Sequence, residues 1–323
     1  MKSILNVLMA ALTATITPLV IADAPYPNHP VKWIVPYPAG GGTDNLARAL
    51  AEGMQADMGQ PMVIDNRPGA STNIGVSVMM QSKPDGYTIM QAENAALLFN
   101  EHMFTKLPYK PATDFTYIGA IGRFPVALVV TPGFPAKTLA EFVTYIKANP
   151  DKVDYASPGT GSPHHMAMEL FKQKAGLNIT HIPYKGAAPA MNDIMGGQVP
   201  VMMLDLASGL SIIRAGKVRV LAIALPKRTG TLPDVPTFAE SGYKDVNAYA
   251  FHGLIGPAGM PKDVVNRLNG ELHKSMNLPR VVKLFADFGF EPLPGTPQEF
   301  YHLSRLESER WGKIIQAAGV KME

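Results

Sequence analysis

Two glycine-rich loops in this chain have the makings of anion sites. The first, Pro38-Ala39-Gly40-Gly41-Gly42-Thr43-Asp44, runs into a stretch where Leu46, Leu50, Met54 and Met58 recur every four residues, the stripe of a helix with one buried face. A helix start exposes unpaired N–H groups and a partial positive charge, and glycine lets a backbone approach a ligand closely. Thr43 or Asp44 is placed to cap that helix. The loop suits phosphate, carboxylate or a plain tight turn. It lacks the Lys-Ser or Lys-Thr ending of a P-loop, and Asn45 stands where G-x-G-x-x-G needs its last glycine. The second loop, Ser157-Pro158-Gly159-Thr160-Gly161-Ser162-Pro163, opens a helical segment carrying His165 and Glu169, and adds the hydroxyls of Ser157, Thr160 and Ser162 as donors. A dicarboxylate held between two lobes would use both loops.

Catalytic chemistry finds less support. His164 and His165 are adjacent, so on a helix they point in different directions, and His165 with Glu169 makes only a two-ligand metal fragment without H-E-x-x-H. Ser162 is followed by Pro163 and His164 and so lacks the G-x-S-x-G elbow. A secreted α/β hydrolase or transferase using Ser162 with His164 or His165 remains the alternative reading. Asp205 ends an apolar strand, where ligands of α/β sheets gather, and equally reads as a cap for the segment around Ser208. The absence of cysteine removes disulfides and thiolate chemistry. A net charge of +3 from scattered Lys and Arg gives no basic face for nucleic acid.

The elements that must position these residues alternate. Apolar, β-branched runs at 31–35, 62–64, 87–90, 126–130, 153–156, 179–182, 199–204, 219–225 and 251–255 read as strands. Helical patterns follow at 73–81, 93–104, 138–147, 187–195, 210–215, 262–276, 280–288 and 297–318. Such alternation predicts an α/β fold of mainly parallel sheets flanked by helices, and 323 residues predict two domains. The pattern restarts near Phe124 and changes texture after Leu225, and the C-terminal helices are expected to pack on the first lobe. At the N-terminus Lys2, an apolar middle and Ala22-Asp23-Ala24 read as an export signal over residues 1–24, with a soluble mature chain from Pro25.

Several motifs in order carry a family resemblance: Val35 to Asp44, Asn66-Arg67-Pro68-Gly69-Ala70, Pro84-Asp85-Gly86-Tyr87-Thr88, His181-Ile182-Pro183-Tyr184-Lys185-Gly186 and Leu232-Pro233-Asp234-Val235-Pro236-Thr237. Over about residues 26–320 the chain resembles the Bug family, the periplasmic solute receptors of tripartite tricarboxylate transporters. The resemblance implies a two-lobed Venus flytrap, with 25–124 and 226–323 as lobe 1, 125–225 as lobe 2 and crossovers near 124 and 225. It implies a periplasmic, non-enzymatic receptor, a monomer without cofactor or metal, that delivers a small carboxylate to a membrane permease. Its ligand would meet the backbone of Ala39, Gly40, Gly41 and Thr43, with Tyr37 alongside, and that of Thr160, Gly161 and Ser162 beside Ser157. Asn94, His164 and Asp205 stand where family side chains face the cleft. Tyr37, Phe104 and Phe251 suggest an aromatic diacid such as terephthalate, although aliphatic acids are also within the family's range. The chain departs from the family at Phe251-His252-Gly253-Leu254, where a Trp often precedes Gly-Leu, and at Ser71-Thr72, where glycine is frequent.

Overall fold

The computed structural model describes residues 26–323; the expected export signal lies outside them. Strand β1 (Val31–Val35) is parallel to β2 (Met62–Asn66) and β3 (Thr88–Glu93). Between β1 and β2 runs helix α1 (Gly42–Met58), whose Leu46, Leu50, Met54 and Met58 are all buried. It stops at Gly59, which takes the left-handed conformation (φ 68°) that spares glycine the Cβ clash. Helix α2 (Asn73–Met80) follows β2. After β3 the chain makes a π-helical turn (Ala95–Phe99) into the short helix α3 (Asn100–Met103). The helical pattern at 93–104 therefore starts later than its first residue suggests, because Glu93 still pairs within the sheet.

The next strand organises the molecule. β4 (Phe115–Val130) is long enough to serve two sheets. Its first part, Phe115 to Pro125, runs antiparallel to β9 (Tyr249–Pro257), which in turn pairs with β3. Its second part, Val126 to Val130, runs antiparallel to β7 (Val201–Asp205) and β8 (Arg219–Ile223). Beyond β7 lie β5 (Asp154–Ser157) and β6 (Thr180–Pro183), parallel to one another and to β7, which gives the order β2-β1-β3-β9-β4-β7-β5-β6. Each half of the sheet is parallel on its outer side and antiparallel where the shared strands join it. A two-residue strand, β10 (Glu291–Pro292), pairs with β4 at Arg123 and Gly122.

Helices cover the faces. α4 (Leu139–Ala148) starts at Thr138, whose hydroxyl accepts the Glu141 N–H. α5 (Pro163–Ala175), α6 (Ala187–Met195) and α7 (Leu206–Arg214) follow β5, β6 and β7. α8 (Lys262–Met276) lies on α1, where Gly53 leaves so little room that a Cβ would stand 2.2 Å from Ser275 Oγ. α9 (Pro279–Phe288) reaches α7. α10 (Pro297–Ala318) packs on the π-helical turn, β4 and α5, and so touches both halves of the sheet. Apolar burial on both sheet faces dominates the stability of such a layered core.

Candidate functional site

β1, β6 and β7 are each followed closely by a helix, and so is β5, so four helix starts face the region where β4 passes from one half of the sheet to the other. That is the crevice outside the carboxyl ends of the strands. A cavity of about 450 Å³ opens there, within the range of small-molecule sites. Gly40–Thr43 line it from the start of α1, Ser162–His164 from α5, Gly186–Pro189 from α6, and Asp205, Ala207 and Ser208 from α7. Tyr37, Phe124, Ala250 and Phe288 supply apolar wall, and Lys185 stands exposed at the edge.

The four starts are not equivalent. α5 and α7 use side-chain caps: Ser162 Oγ accepts the His165 N–H at 3.2 Å, and Asp205 Oδ1 accepts the Ser208 N–H at 2.7 Å. Pro163 gives α5 no N–H at its first position. By contrast, α1 and α6 begin at Gly41 and Gly186 with no side-chain cap, and the first residues of both line the cavity, although Pro189 in the first turn of α6 brings no N–H. Neither Thr43 nor Asp44 caps α1. Asp44 is buried and instead accepts the Gly40 N–H (2.9 Å), pairs with Arg48 (2.9 Å) and accepts from Asn66, so it braces the loop from behind. Burial alone would raise the Asp44 carboxyl; these donors outweigh it and hold it below the ordinary range.

On the cavity floor four titratable side chains meet. His164 Nε2 lies 3.0 Å from Asp205 Oδ2, and both residues are buried. Burial opposes the Asp205 charge, yet the His164 contact and the Ser208 N–H and hydroxyl pull its carboxyl below the ordinary value. Glu93, the last residue of β3, sits directly across from His252 on β9 and accepts a hydrogen bond from the Tyr37 hydroxyl. Burial, and then the nearby Asp205 charge, push Glu93 up to about 8. His252 is pushed down to about 3 by burial, so both groups are mainly neutral at pH 7.

Of the residues expected from sequence, the structure brings Tyr37, Ala39, Gly40, Gly41, Thr43, Ser162, His164 and Asp205 to this cavity. Four others are off its wall. Asn94 is fully buried and clamps β9, donating to Tyr249 O (3.1 Å) and accepting the Phe251 N–H (2.6 Å). Ser157 lies 2.6 Å from His181 Nε2 and accepts the Gly159 N–H. Gly161 donates its N–H to His165 Nδ1 and Ser162 donates to Gly159 O, so the second loop uses these amides internally. Thr160 belongs to the same turn and does not line the cavity. The second unsatisfied helix start is α6. Phe104 and Phe251 are also away from the wall: Phe251 is fully buried in the core and Phe104 packs near Met322. Phe124 and Phe288 take that place.

Ser162 and the two histidines beside it do not form a nucleophile–base pair. Ser162 Oγ is occupied by the His165 N–H, and His164 Nδ1 is buried without a partner. Among the described residues no group of three or more His, Asp or Glu is arranged to hold a metal ion, and no helix is long and apolar enough to cross a membrane.

Residues 46–320 match the family model described as the tripartite tricarboxylate transporter family receptor. The chain belongs to that family. Protein BugT of Bordetella pertussis is 35% identical over 312 residues, covering 96% of this chain and 95% of BugT. Among solved structures, the periplasmic binding protein BugD superposes with a TM-score of 0.86 at 34% identity, covering 92% of this chain and all of BugD. Rpa4515 of R. palustris, solved with adipate, superposes at 0.87 with 33% identity, covering 91% and 98%. As a tripartite tricarboxylate transporter receptor, the chain has the two-lobed fold of periplasmic binding proteins, and its relatives are receptors and not enzymes.

Proposed function

We propose that this receptor captures a small organic dicarboxylate from the periplasm and presents it to a membrane permease of the tripartite type. The observation that carries the reading is the pair of uncapped helix starts, α1 at Gly41 and α6 at Gly186, facing one cavity. One carboxylate lies against the N–H groups of Gly42 and Thr43 and is shared with the start of α6, with Lys185 nearby as a cation. Residues 25–124 and 226–323 form one lobe and 125–225 the other, and closure on the ligand completes the site. Adipate in a relative at 33% identity favours an aliphatic diacid over the aromatic one that the sequence suggested. The apolar wall of Tyr37, Phe124 and Phe288 suits a methylene chain as well as a ring.

A thermal-shift panel of aliphatic and aromatic mono- and dicarboxylates tests this reading. A ligand that binds only the folded protein adds about 2.7 kcal/mol at a hundredfold excess over its Kd, a readily seen shift. Shifts are expected for linear diacids. A panel in which no carboxylate moves the midpoint sinks the proposal.

A further inference from the structure

The cavity also holds side chains whose chemistry differs from that of the helix starts. On β3, Gln91 and Glu93 share a face, and β9 places His252 opposite Glu93. The Gln91 amide nitrogen lies 3.4 Å from the Thr43 carbonyl oxygen and 3.3 Å from His252 Nδ1. The carbonyl requires that end of Gln91 to be the donating NH₂. His252 Nδ1 therefore accepts, and the neutral ring carries its proton on Nε2. That Nε2 is buried, on a residue only 1% exposed that lines the cavity, and it has no hydrogen-bond partner. A buried donor left unmade costs about 1–3 kcal/mol, so it marks a place that a ligand acceptor would fill. Glu93 lies beside it with one oxygen taken by Tyr37.

We infer that His252 and Glu93 form a neutral, hydrogen-bond-donating subsite for the far carboxylate of the ligand, and that this pair selects diacids over monoacids of the same length. The inference rests on the carboxylate reading above and adds which residues recognise the second group. The titratable groups facing the pair are Tyr37 after β1, Asp205 at the end of β7 and His164 on α5; Gln91 and Phe124 complete the surroundings. Because the Asp205 charge already faces this corner, a protonated Glu93 is the form that can donate to an incoming anion, which fits its elevated titration near 8. Ionised Glu93 would repel it.

The test compares adipate with hexanoate by titration calorimetry at pH 7 and pH 9, where both ligands are fully ionised. For the wild type, adipate is preferred at pH 7, and its affinity falls about fivefold or more by pH 9 as Glu93 ionises. Glu93→Gln keeps a donor without a titrating proton and binds adipate equally at both pH values. His252→Phe lowers the adipate-to-hexanoate ratio by about tenfold or more, equivalent to losing one good hydrogen bond to a charged group. His252→Gln, which retains an N–H, restores part of the ratio and guards against a folding defect in the Phe variant. An unchanged ratio in folded His252→Phe, or the wild-type pH dependence persisting in Glu93→Gln, overturns the inference. So does complete loss of adipate binding in folded Glu93→Gln at pH 7, because an amide that keeps an N–H donor would then fail to replace the protonated carboxyl. A wild type that binds neither acid overturns the carboxylate reading itself and this subsite with it.

Discussion

At the scale of single residues, the chemistry of the cavity depends on groups that burial has moved from their ordinary charge states. Glu93 titrates near 8 in the folded protein against 4.5 for a free glutamate. Between those values the native state binds more protons than the unfolded one, so the Glu93 contribution to stability is present at low pH and is lost as pH rises through the window. The difference in thermal midpoint, Glu93→Gln minus wild type, is therefore expected to become more positive from pH 5 to pH 8; a constant difference would count against a buried, proton-retaining Glu93. Asp205 works in the opposite sense. Its carboxyl is held low and caps α7 while contacting His164, so Asp205→Ala should cost about 1–2 kcal/mol in a urea melt at pH 7, as loss of a helix cap does. Sequence made Asp205 and the glycine loop visible because each sits beside a local signature, a strand end or a helix start. Glu93 and His252 had no such signature. They lie far apart in the chain and meet only through the antiparallel register of β3 and β9. The nearest sign was the departure from the family pattern at His252.

Among the elements, helix starts separate into those that stabilise themselves and those that leave donors free. Both glycine loops predicted an anion site, yet only the first offers an uncapped start, because Ser162, Gly161 and Pro163 consume or remove the donors of the second. The start of α6 was legible in hindsight from Lys185 and Gly186 ahead of a well-defined helix, but the fate of a loop's amides depends on contacts that spacing does not encode. Gly42 provides a direct probe. A Cβ there would stand 3.0 Å from Ala207 Cβ and 3.8 Å from Asp205 Oδ1, between the starts of α1 and α7. Gly42→Ala is thus expected to weaken diacid binding by about tenfold or more, ~1.4 kcal/mol, in a calorimetric titration. Asn94→Ala is predicted to act differently: losing the clamp on Tyr249 and Phe251 leaves buried backbone groups unpaired and lowers stability by about 1–3 kcal/mol in denaturant titration.

For the whole molecule, the α/β alternation was readable from end to end, and most helices lie where their apolar periodicity placed them. The first half of β4 was not. Gly119, Gly122 and Pro125 interrupt the strand pattern there, and pairing along β9 on one side holds it extended in spite of them. That long strand carries the chain from one half of the sheet to the other, with Pro125 opposite Tyr249 and Val126 opposite Asp205. The cavity proposed as the site lies at this handover, so relative movement of the two halves would open or close it. Small-angle scattering should accordingly record a smaller radius of gyration for the diacid-saturated protein than for the free one. The most direct test of the account is a calorimetric titration of the purified protein, wild type and Gly42→Ala, with linear dicarboxylates. Saturable one-to-one binding by the wild type, weakened in a variant whose thermal midpoint is nearly unchanged, is the predicted result. Diacid binding of equal strength in both proteins would contradict a site built on the uncapped start of α1.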